Sequence, residues 1–386
     1  MDAFEFQTVK RIIARTGSLS HLATECQHLG ISHALFITDQ GVIQHNLHLT
    51  ALQSLHQAGI QTTLYHDVQA DPPEHLVLSA VEFAKAHQID GVIGFGGGSS
   101  MDVAKLIAFL SHPLQKQQLN EIYGVNQAIG LRLPLIQIPT TAGTGSEVTA
   151  VAIVTTGETM KSGIVSPILY ADTAILDAEL TLNLPAQITA ATGIDAMVHA
   201  IEAYTSKHKK NIYTDMLAKQ ALVLLNQSLP IVLKEPNHLI ARQNMLVGAM
   251  LAGQAFANAP VAAVHALAYP LGGHCHLSHG HSNALVLTEV LRFNATSAMS
   301  EYAELMQTLN PQAQGTPEQL CQQFIDHIQK LCDDSGLVLK LQKLSIDEHM
   351  LEIFAKDAML QTRLLINNPR EMTEQDALNI YKAVYA

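Results

Sequence analysis

A run of three glycines directly follows a short apolar segment, and this pair of features constrains the fold more than any other. The apolar segment is 91–95, and the glycines at 96–98 lead into Ser99 and Ser100. Glycines let the backbone approach a ligand closely and point successive N–H groups at it. A helix that begins near Ser100 would direct the positive end of its dipole to the same place. The segment predicts a strand-to-helix turn that can hold a pyrophosphate, although an ordinary turn with a serine cap remains the alternative.

Similar apolar segments alternate with helix-period stretches throughout the N-terminal half. Helices are predicted at 47–58 and 76–87, and Pro134 indicates a strand start or an edge position. Alternation of this kind is typical of an α/β fold with a parallel sheet that helices cover on both faces. The predicted strands are 33–39, 62–66, 91–95, 133–138 and, last before the boundary, 174–177.

The glycine run nearly matches a dinucleotide-binding fingerprint, but it stands in a different place. Residues 94–99 fit G-x-G-x-x-G/A except that Ser99 holds the last position. They also follow the third predicted strand rather than the first. The run is not a P-loop, since no Gly-Lys-Ser/Thr follows it.

A second loop rich in small polar residues, 139–149, follows the fourth predicted strand. Open α/β sheets bind their ligands at the C-terminal ends of strands, where this loop lies. A solvated surface loop would have a similar composition, but two such loops at strand ends favour a ligand site. The hydroxyl side chains of interest are Thr140, Thr141, Thr144 and Thr149.

Two histidine-containing segments in the second half could hold a divalent metal ion. Asp195 and His199 are four residues apart in a proline-free, helix-compatible stretch, so both lie on one face of a helix. One carboxylate with imidazoles suits Zn(II) or Fe(II), and such sites can keep a position open for substrate. Because the chain has 20 histidines, a coincidental spacing remains the alternative for this pair taken alone.

The second segment begins at His265. We expect a helix that ends near Tyr269, because Pro270 and two glycines break it, followed by a histidine-rich loop. His279 is the candidate ligand in that loop, but spacing alone does not choose between it and its neighbours. Those neighbours are His274, His276 and His281.

Length and composition agree with a two-domain protein. With 386 residues, the chain suits two domains of ordinary size, predicted as 1–182 (α/β) and 183–386 (all-helical). Helices are predicted at 215–227, 240–257 and 317–333, and the tail after Gly336 carries no interpretable motif. The apolar runs are interrupted before they reach membrane-spanning length.

Charge and cysteine usage limit the partners and the compartment. The formal net charge of −12 argues against nucleic-acid or anionic-membrane partners, and the basic cluster 207–210 is typical of a solvated helix end. The cysteines Cys26, Cys275, Cys321 and Cys332 form no Cys-x-x-Cys pair and indicate reduced thiols. The first six residues lack a basic start and an apolar signal core. These features predict a cytoplasmic protein.

Taken together, these segments resemble the iron-containing (group III) alcohol dehydrogenases. The resemblance extends from about Phe36 to Asn294 and is carried by 96–105, 139–149, 190–204 and 265–283. It implies a nucleotide-binding α/β domain packed against an all-helical domain, with the metal and the nicotinamide in the cleft between them. It also implies the metal ligands, where His279 is preferred because its offset of 14 from His265 matches the family. The implied ligands are Asp195, His199, His265 and His279.

The resemblance further implies NAD and Fe(II), with Zn(II) as the alternative metal. Asp39 would lie by the adenine ribose and disfavour a 2′-phosphate, so that NAD is preferred over NADP; a residue that merely begins the turn before Gly41 is the alternative reading. The residues implied at the pyrophosphate are Gly97, Gly98, Ser99 and Asp102. Those implied along the rest of the cofactor are Thr140, Thr141, Thr144, Thr149 and Lys161.

The implied activity is hydride transfer between NAD(H) and a small alcohol, aldehyde or ketone whose oxygen is at the metal. Enzymatic alternatives of the same fold are a hydroxyacid–oxoacid transhydrogenase and a maleylacetate-reductase-like enzyme, and a non-catalytic metal-binding protein is a third. A homo-oligomer such as a homodimer is expected. Two positions depart from the family: Tyr269 stands where many members have a histidine near the substrate, and Ser278 where a proline often precedes the fourth ligand. Tyr269 could offer its hydroxyl to the pocket.

Overall fold

A computed structural model describes residues 3–157 and 160–386. Met1 and Asp2, which belong to the N-terminal stretch used above to predict a cytoplasmic protein, lie outside the described residues. Backbone contacts divide the chain into two compact units. One unit is Gln7–Leu182, and the other is Asn183–Ala386 together with the N-terminal residues up to Phe6.

The strands of the first unit are β1 (Arg11–Ala14), β2 (His33–Asp39), β3 (Gln61–Val68), β4 (Gly91–Gly96), β5 (Gly124–Val125), β6 (Leu135–Pro139), β7 (Val151–Thr156), β8 (Met160–Val165) and β9 (Thr173–Leu176). They form a six-stranded parallel sheet in the order β1-β9-β6-β4-β2-β3 and a three-stranded sheet in the order β5-β8-β7. The helices are α1 (Leu22–His28), α2 (Gln40–Gln44), α3 (Leu49–Gln57), α4 (Glu74–Ala86) and α5 (Gly98–Leu110).

The large sheet forms because its central strands are short, continuous apolar runs. Every residue of β4, β6 and β9 is buried, as expected for parallel strands that are covered on both faces. The predicted α/β fold with a parallel sheet is confirmed. The edge strand β1 was not predicted, because its four residues are too few to show an apolar pattern. The small sheet was not predicted, because its strands are half-exposed and have little apolar pattern.

The second unit is built from helices. Their bounds are α6 (Ala186–Thr205), α7 (Ile212–Lys234), α8 (Leu239–Asn258), α9 (Ala263–Cys275), α10 (His279–Asn294), α11 (Met299–Leu309), α12 (Pro317–Asp334), α13 (Met350–Met359), α14 (Thr362–Leu365) and α15 (Glu374–Ala383). Helix α6 is buried around almost its whole circumference, which makes it the central helix of this unit. The predicted helical C-terminal region is confirmed.

The prediction that a helix ends near Tyr269 is wrong. Helix α9 continues through Pro270 and ends at Cys275. Pro270 cannot donate to the carbonyl of Ala266, four residues earlier. Pro270 is buried, and the Tyr381 hydroxyl donates to the neighbouring carbonyl of Leu267. The expected histidine-rich loop is therefore short, and His279 is the first residue of α10 rather than a loop residue.

Helix α7 is long and apolar enough to cross a membrane by length and composition alone, with 44% of its most apolar window buried. It contains Pro230 and packs against α6 and α8. Core helices of soluble proteins have the same properties, so this helix is weak evidence for a membrane span.

Candidate active site

Four side chains of the helical unit converge on one point. Asp195 and His199 lie one turn apart on α6, His265 is in the first turn of α9, and His279 begins α10. One ligand atom from each lies within 4.8 Å of all the others. Helix α6 therefore supplies one pair of ligands, and the starts of two further helices supply the other pair.

The spacing of these atoms fits a single divalent ion. The Nε2 atoms of His265 and His199 are 3.0 Å apart, and Asp195 Oδ1 is 3.5 Å from Nε2 of His279 and 3.9 Å from Nε2 of His265. Ligand atoms that share a tetrahedral ion at about 2.1 Å lie about 3.4 Å from one another. A carboxylate with three imidazoles also has the chemistry of an Fe(II) or Zn(II) site.

The carboxylate of Asp195 is buried yet held in its charged form. Burial raises the pKa of Asp195, but the charges of His199, His279 and His265 outweigh it and keep this pKa below its usual value. The side-chain amide of Asn283 contributes by donating to Asp195 Oδ1 at 2.6 Å. An anionic ligand is therefore present at the centre of the cluster.

Two further groups shape the cluster. The ring of Phe256 on α8 stacks on His199 with centroids 4.3 Å apart. The ring of Tyr269 lies 6.0 Å from that of His279, so the residue that departs from the family pattern is close to the fourth ligand. No sequence motif distinguishes Phe256 or Asn283 as a residue of this site.

Two of the three neighbouring histidines that spacing could not separate from His279 have partners outside the cluster. His274 Nε2 is 2.6 Å from Asp357 Oδ2, and His281 Nε2 is 2.7 Å from the Val338 carbonyl oxygen. His276 is a C-cap residue in the left-handed conformation, with φ of 54°. The cluster found among the described residues includes none of these three.

In the α/β unit, the glycine run forms the start of α5. Gly97 is the N-cap residue and has no side chain to cap the first N–H groups, so these groups are available to a ligand. A Cβ added to Gly97 would meet only Thr141 Oγ1, at 3.8 Å, whereas one added to Gly98 would clash with Thr144 at 2.8 Å. The glycine run and the 139–149 loop therefore lie against each other.

Asp39 ends β2 beside the same helix start. Its Oδ1 accepts the backbone N–H of Val42, which makes Asp39 the N-cap of α2, and its Oδ2 accepts the Ser100 hydroxyl at 3.1 Å. Asp39 therefore caps α2 and lies beside the glycine run; its expected place at the adenine ribose stays a prediction.

Asp102 joins the two loops rather than standing free. Its Oδ1 accepts the Ser146 hydroxyl at 2.6 Å, and its Oδ2 accepts the Ile153 N–H at 3.0 Å. Lys105 lies beside it with a fully buried side chain and donates to Ser146 Oγ, to Thr149 Oγ1 and to the Val151 carbonyl. Burial lowers the pKa of Lys105, while Asp102 opposes this change. The sequence analysis missed Lys105.

Lys161 has a different environment from the other predicted cofactor residues. Its Nζ lies 2.5 Å from Asp71 Oδ1 and donates to Thr155 Oγ1. Asp71 has φ of 53°, in the left-handed region. Thr140 is buried, and its N–H donates to the Gly96 carbonyl.

The parallel α/β unit has a glycine-rich helix start, and the helical unit that follows has a carboxylate and three imidazoles at one point. This is the arrangement of a metal-dependent oxidoreductase that uses a dinucleotide. Comparison with known proteins gives the family. A family model described as iron-containing alcohol dehydrogenase matches residues 9–178, and one described as Fe-containing alcohol dehydrogenase family, C-terminal, matches residues 189–385.

Individual relatives match over almost the whole chain. Long-chain-alcohol dehydrogenase 1 of Geobacillus thermodenitrificans (strain NG80-2) is 38% identical over 372 residues, covering 96% of this chain and 94% of that protein. A 1,3-propanediol oxidoreductase structure has a TM-score of 0.95 at 30% identity, covering 100% of both chains. Sulfoacetaldehyde reductase from Bifidobacterium kashiwanohense, solved with NAD+, has a TM-score of 0.89 at 27% identity, covering 100% of both chains.

This chain belongs to the iron-containing alcohol dehydrogenase family. It is a metal-dependent, NAD-linked alcohol oxidoreductase.

Proposed function

We propose that Asp195, His199, His265 and His279 bind one catalytic Fe(II), with Zn(II) as the alternative ion. The observation that carries this assignment is the convergence of their four ligand atoms within 4.8 Å. The bound ion would supply Lewis acidity toward the substrate oxygen. The anionic Asp195 would offset part of the positive charge of the ion, and Asn283 would hold the carboxylate by its hydrogen bond.

The start of α5 and the 139–149 loop form the proposed NAD site. The uncapped N–H groups at Gly97, Gly98 and Ser99 would bind the pyrophosphate, and Thr140, Thr141 and Thr144 would line the cofactor. Asp39 would accept hydroxyls of the adenine ribose and repel a 2′-phosphate.

The remaining three predicted cofactor residues are Asp102, Thr149 and Lys161. Their side chains bond other residues of the chain, which supports a structural role for them. Asp102 and Thr149 would act mainly by holding the two loops together, because their side-chain oxygens bond Ser146 and Lys105. Lys161 would contribute positive charge near the cofactor only in balance with Asp71.

The proposed substrate is a small neutral alcohol in one direction and an aldehyde or ketone in the other. The aromatic rings next to the ligand cluster, Phe256 and Tyr269, favour an uncharged carbon chain. In oxidation, a C–H bond breaks, the hydride adds to C4 of the nicotinamide, and the hydroxyl proton leaves, so alcohol and NAD+ yield the carbonyl product, NADH and a proton. Tyr269 would offer its hydroxyl to a substrate bound beside the ligand cluster.

The two predicted domains, 1–182 and 183–386, would divide the work, with cofactor binding in the first and metal binding in the second. A cytoplasmic location and a homo-oligomeric assembly such as a homodimer remain parts of this proposal. The net charge of −12 supports small-molecule rather than nucleic-acid or membrane partners.

The test is metal-resolved activity. The purified chain is stripped of metal, reconstituted anaerobically with Fe(II) or Zn(II), and assayed by NADH absorbance against a panel of short alcohols and aldehydes. His265→Ala and His279→Ala should lose tightly bound metal and turnover while keeping the fold by circular dichroism. His281→Ala, two residues from His279 but outside the cluster, is the matched control and should keep both.

Normal turnover by metal-free His265→Ala would refute the ligand assignment. Metal binding with tightly retained, non-exchanging nicotinamide and turnover only between paired hydroxy and oxo acids would replace the proposed dehydrogenase reaction by transhydrogenation.

A further inference from the structure

Besides its two candidate metal ligands, the buried helix α6 carries one more acidic residue, Glu202, on the same face. Asp195, His199 and Glu202 stand at positions i, i+4 and i+7, which lie on one face of a helix. Glu202 is only 4% exposed, and a buried carboxylate is costly unless it is well partnered. Its partners therefore indicate why a carboxylate is tolerated there.

The partners of Glu202 are all at the start of α9. Its Oε1 accepts the Val264 N–H at 2.7 Å, and its Oε2 accepts the Ala262 N–H at 3.0 Å. These are N–H groups at the N-terminal end of a helix, which have no partner within the helix, and the N-cap residue Ala262 makes no side-chain cap. Glu202 thus caps α9 from a different helix, 60 residues away in sequence.

The same carboxylate also contacts a metal ligand. Glu202 Oε2 lies 2.7 Å from His265 Nδ1. Because the Glu202 oxygens accept two backbone N–H groups, they act as acceptors here, and Nδ1 of His265 must carry the hydrogen. In a neutral imidazole the other nitrogen then has the free lone pair. That nitrogen, Nε2, is the one that faces His199 Nε2 at 3.0 Å within the cluster.

We propose that Glu202 is a positioning residue that fixes the tautomer and the ring orientation of His265 for metal binding. This proposal rests on the proposed metal site. Hydrogen bonding of a ligand histidine to a carboxylate raises the basicity of the ligand nitrogen, and loss of such a partner typically weakens metal affinity 10- to 100-fold. Since Glu202 holds both the backbone at Val264 and the ring of His265, it sets the position and the direction of that ligand together.

A glutamine cannot replace this carboxylate without loss. If the amide oxygen takes the place of Oε2, the NH2 group faces the Val264 N–H. If the amide is flipped, its NH2 donates to His265 Nδ1, which places the hydrogen on Nε2, where it blocks metal binding. Glu202→Gln keeps the volume of the side chain and therefore tests the bonding pattern rather than the packing.

The experiment measures the Zn(II) dissociation constant of the full-length apo chain by competition with a chromophoric chelator. We expect Glu202→Gln to raise this constant 10- to 100-fold. Variants that lack one ligand are compared by their weak residual Zn(II) binding at the three remaining ligands. In a His265→Ala background Glu202→Gln should alter this residual dissociation constant less than about twofold, because the residue through which Glu202 acts is gone. In a His199→Ala background the 10- to 100-fold effect should persist.

A purely structural cap would behave differently. It would lower the unfolding temperature of the apo protein and weaken Zn(II) binding equally in the His265→Ala and His199→Ala backgrounds, which would overturn the proposal. An unchanged constant for Glu202→Gln in the otherwise native chain would overturn it as well. Glu25→Gln, which alters a carboxylate that is 3% exposed in the α/β unit, is the matched control and should bind Zn(II) as the native chain does.

The failure of the inference and the failure of the proposed function give different results. If the native chain binds no Zn(II) in this assay, the proposed metal site is wrong and the inference with it. If the native chain binds one ion and Glu202→Gln binds it equally well, the site stands and only the role of Glu202 is wrong.

Discussion

Gly280 lies against the backbone of Ala191 so closely that a Cβ added to it would come within 2.2 Å of the Ala191 carbonyl oxygen. The same Cβ would lie 3.3 Å from Cβ of Asp195. Only a residue without a side chain allows the start of α10 to approach α6 at this distance. Because Gly280 follows His279, this close approach is what brings His279 within 3.5 Å of Asp195.

Gly280→Ala should therefore damage the metal site without altering a ligand. The added methyl group must push α10 away from a backbone carbonyl that cannot move aside, and overpacking of this kind costs about 1–3 kcal/mol. We expect the unfolding free energy to fall by that amount and the Zn(II) dissociation constant to rise at least tenfold. Chemical denaturation and chelator competition measure the two effects.

Gly272→Ala provides the comparison for that substitution. Gly272 is on α9, and a Cβ there would meet its nearest atom, the Leu277 carbonyl oxygen, at an ordinary 3.6 Å. A helical glycine with space for a methyl group tolerates alanine well. If Gly272→Ala and Gly280→Ala weakened metal binding equally, the close approach of α10 to α6 would not be the cause.

Asp39 should determine cofactor choice through its charge, and the stability of α2 through its side-chain cap. Asparagine caps a helix about as well as aspartate does, so Asp39→Asn should keep the α2 cap while removing the charge that repels a 2′-phosphate. We expect the NAD-over-NADP ratio of kcat/KM to fall at least tenfold in this variant, with unfolding free energy within about 0.5 kcal/mol of the native value.

Asp39→Ala separates the two roles of that residue. It should show the same relaxed cofactor preference and also lose about 1 kcal/mol of stability, because the cap to the Val42 N–H is gone. An NAD preference that survives both substitutions would leave Asp39 with the capping role alone.

Glu147 should make the stability of the α/β unit depend on pH. Burial raises the pKa of Glu147 to about 7, although the hydrogen bond to its own backbone and the charge of Lys105 oppose this rise. The unfolded chain has a glutamate pKa of about 4.3, so between these values the folded state binds more protons. The stability contributed by neutral Glu147 is therefore complete below about pH 4 and is lost as the pH rises through 7.

Glu147→Gln should remove this pH dependence. The amide resembles the neutral acid, so the variant should match the native chain near pH 4 and exceed its unfolding free energy by about 3–4 kcal/mol near pH 8. Denaturation followed by far-UV circular dichroism at a series of pH values measures the difference. Parallel stability curves for the two proteins would show that Glu147 is not the titrating group.

Lys105→Met should weaken NAD binding while leaving metal binding intact. The substitution removes the cation beside Asp102 and the donor to Ser146, Thr149 and Val151, and leaving buried acceptors without a donor costs about 1–3 kcal/mol. We expect NADH affinity to fall at least tenfold by fluorescence titration, with an unchanged Zn(II) dissociation constant. Lys85→Met, on the exposed face of α4, should change neither quantity.

The strands of the large sheet were the most predictable part of this protein. The expected strands 33–39 and 91–95 coincide with β2 and with all but the last residue of β4, because an apolar run bounded by polar or glycine residues is a local property of the chain. The start of α5 was predictable for the same reason, since Gly96 to Ser100 carry their conformational signal in their own composition.

Predictions failed where distant residues decide the structure. Helix α9 passes through Pro270, which is buried, and the Tyr381 hydroxyl from 114 residues away donates to the Leu267 carbonyl in the same part of the helix. A local rule for proline cannot include packing of this kind. The sequence around Lys105 does not distinguish it from other lysines. Its structural role depends on its contacts with the 139–149 loop, which are made only in the folded chain.

By itself, the sequence determined the period of each element, the pair Asp195 and His199 on one helix face, and the identity of the candidate ligands through their resemblance to a family. Spacing alone did not choose between His279 and its neighbours His274, His276 and His281; the family resemblance favoured His279, and the tertiary structure shows it in the cluster. Which atoms an imidazole meets depends on how its helix packs rather than on its neighbours in sequence. Only the tertiary structure decided the partner of His265, since Glu202 reaches His265 across 63 residues. Hydrogen bonds between helices depend on how those helices pack, and that packing is a property of the whole folded unit.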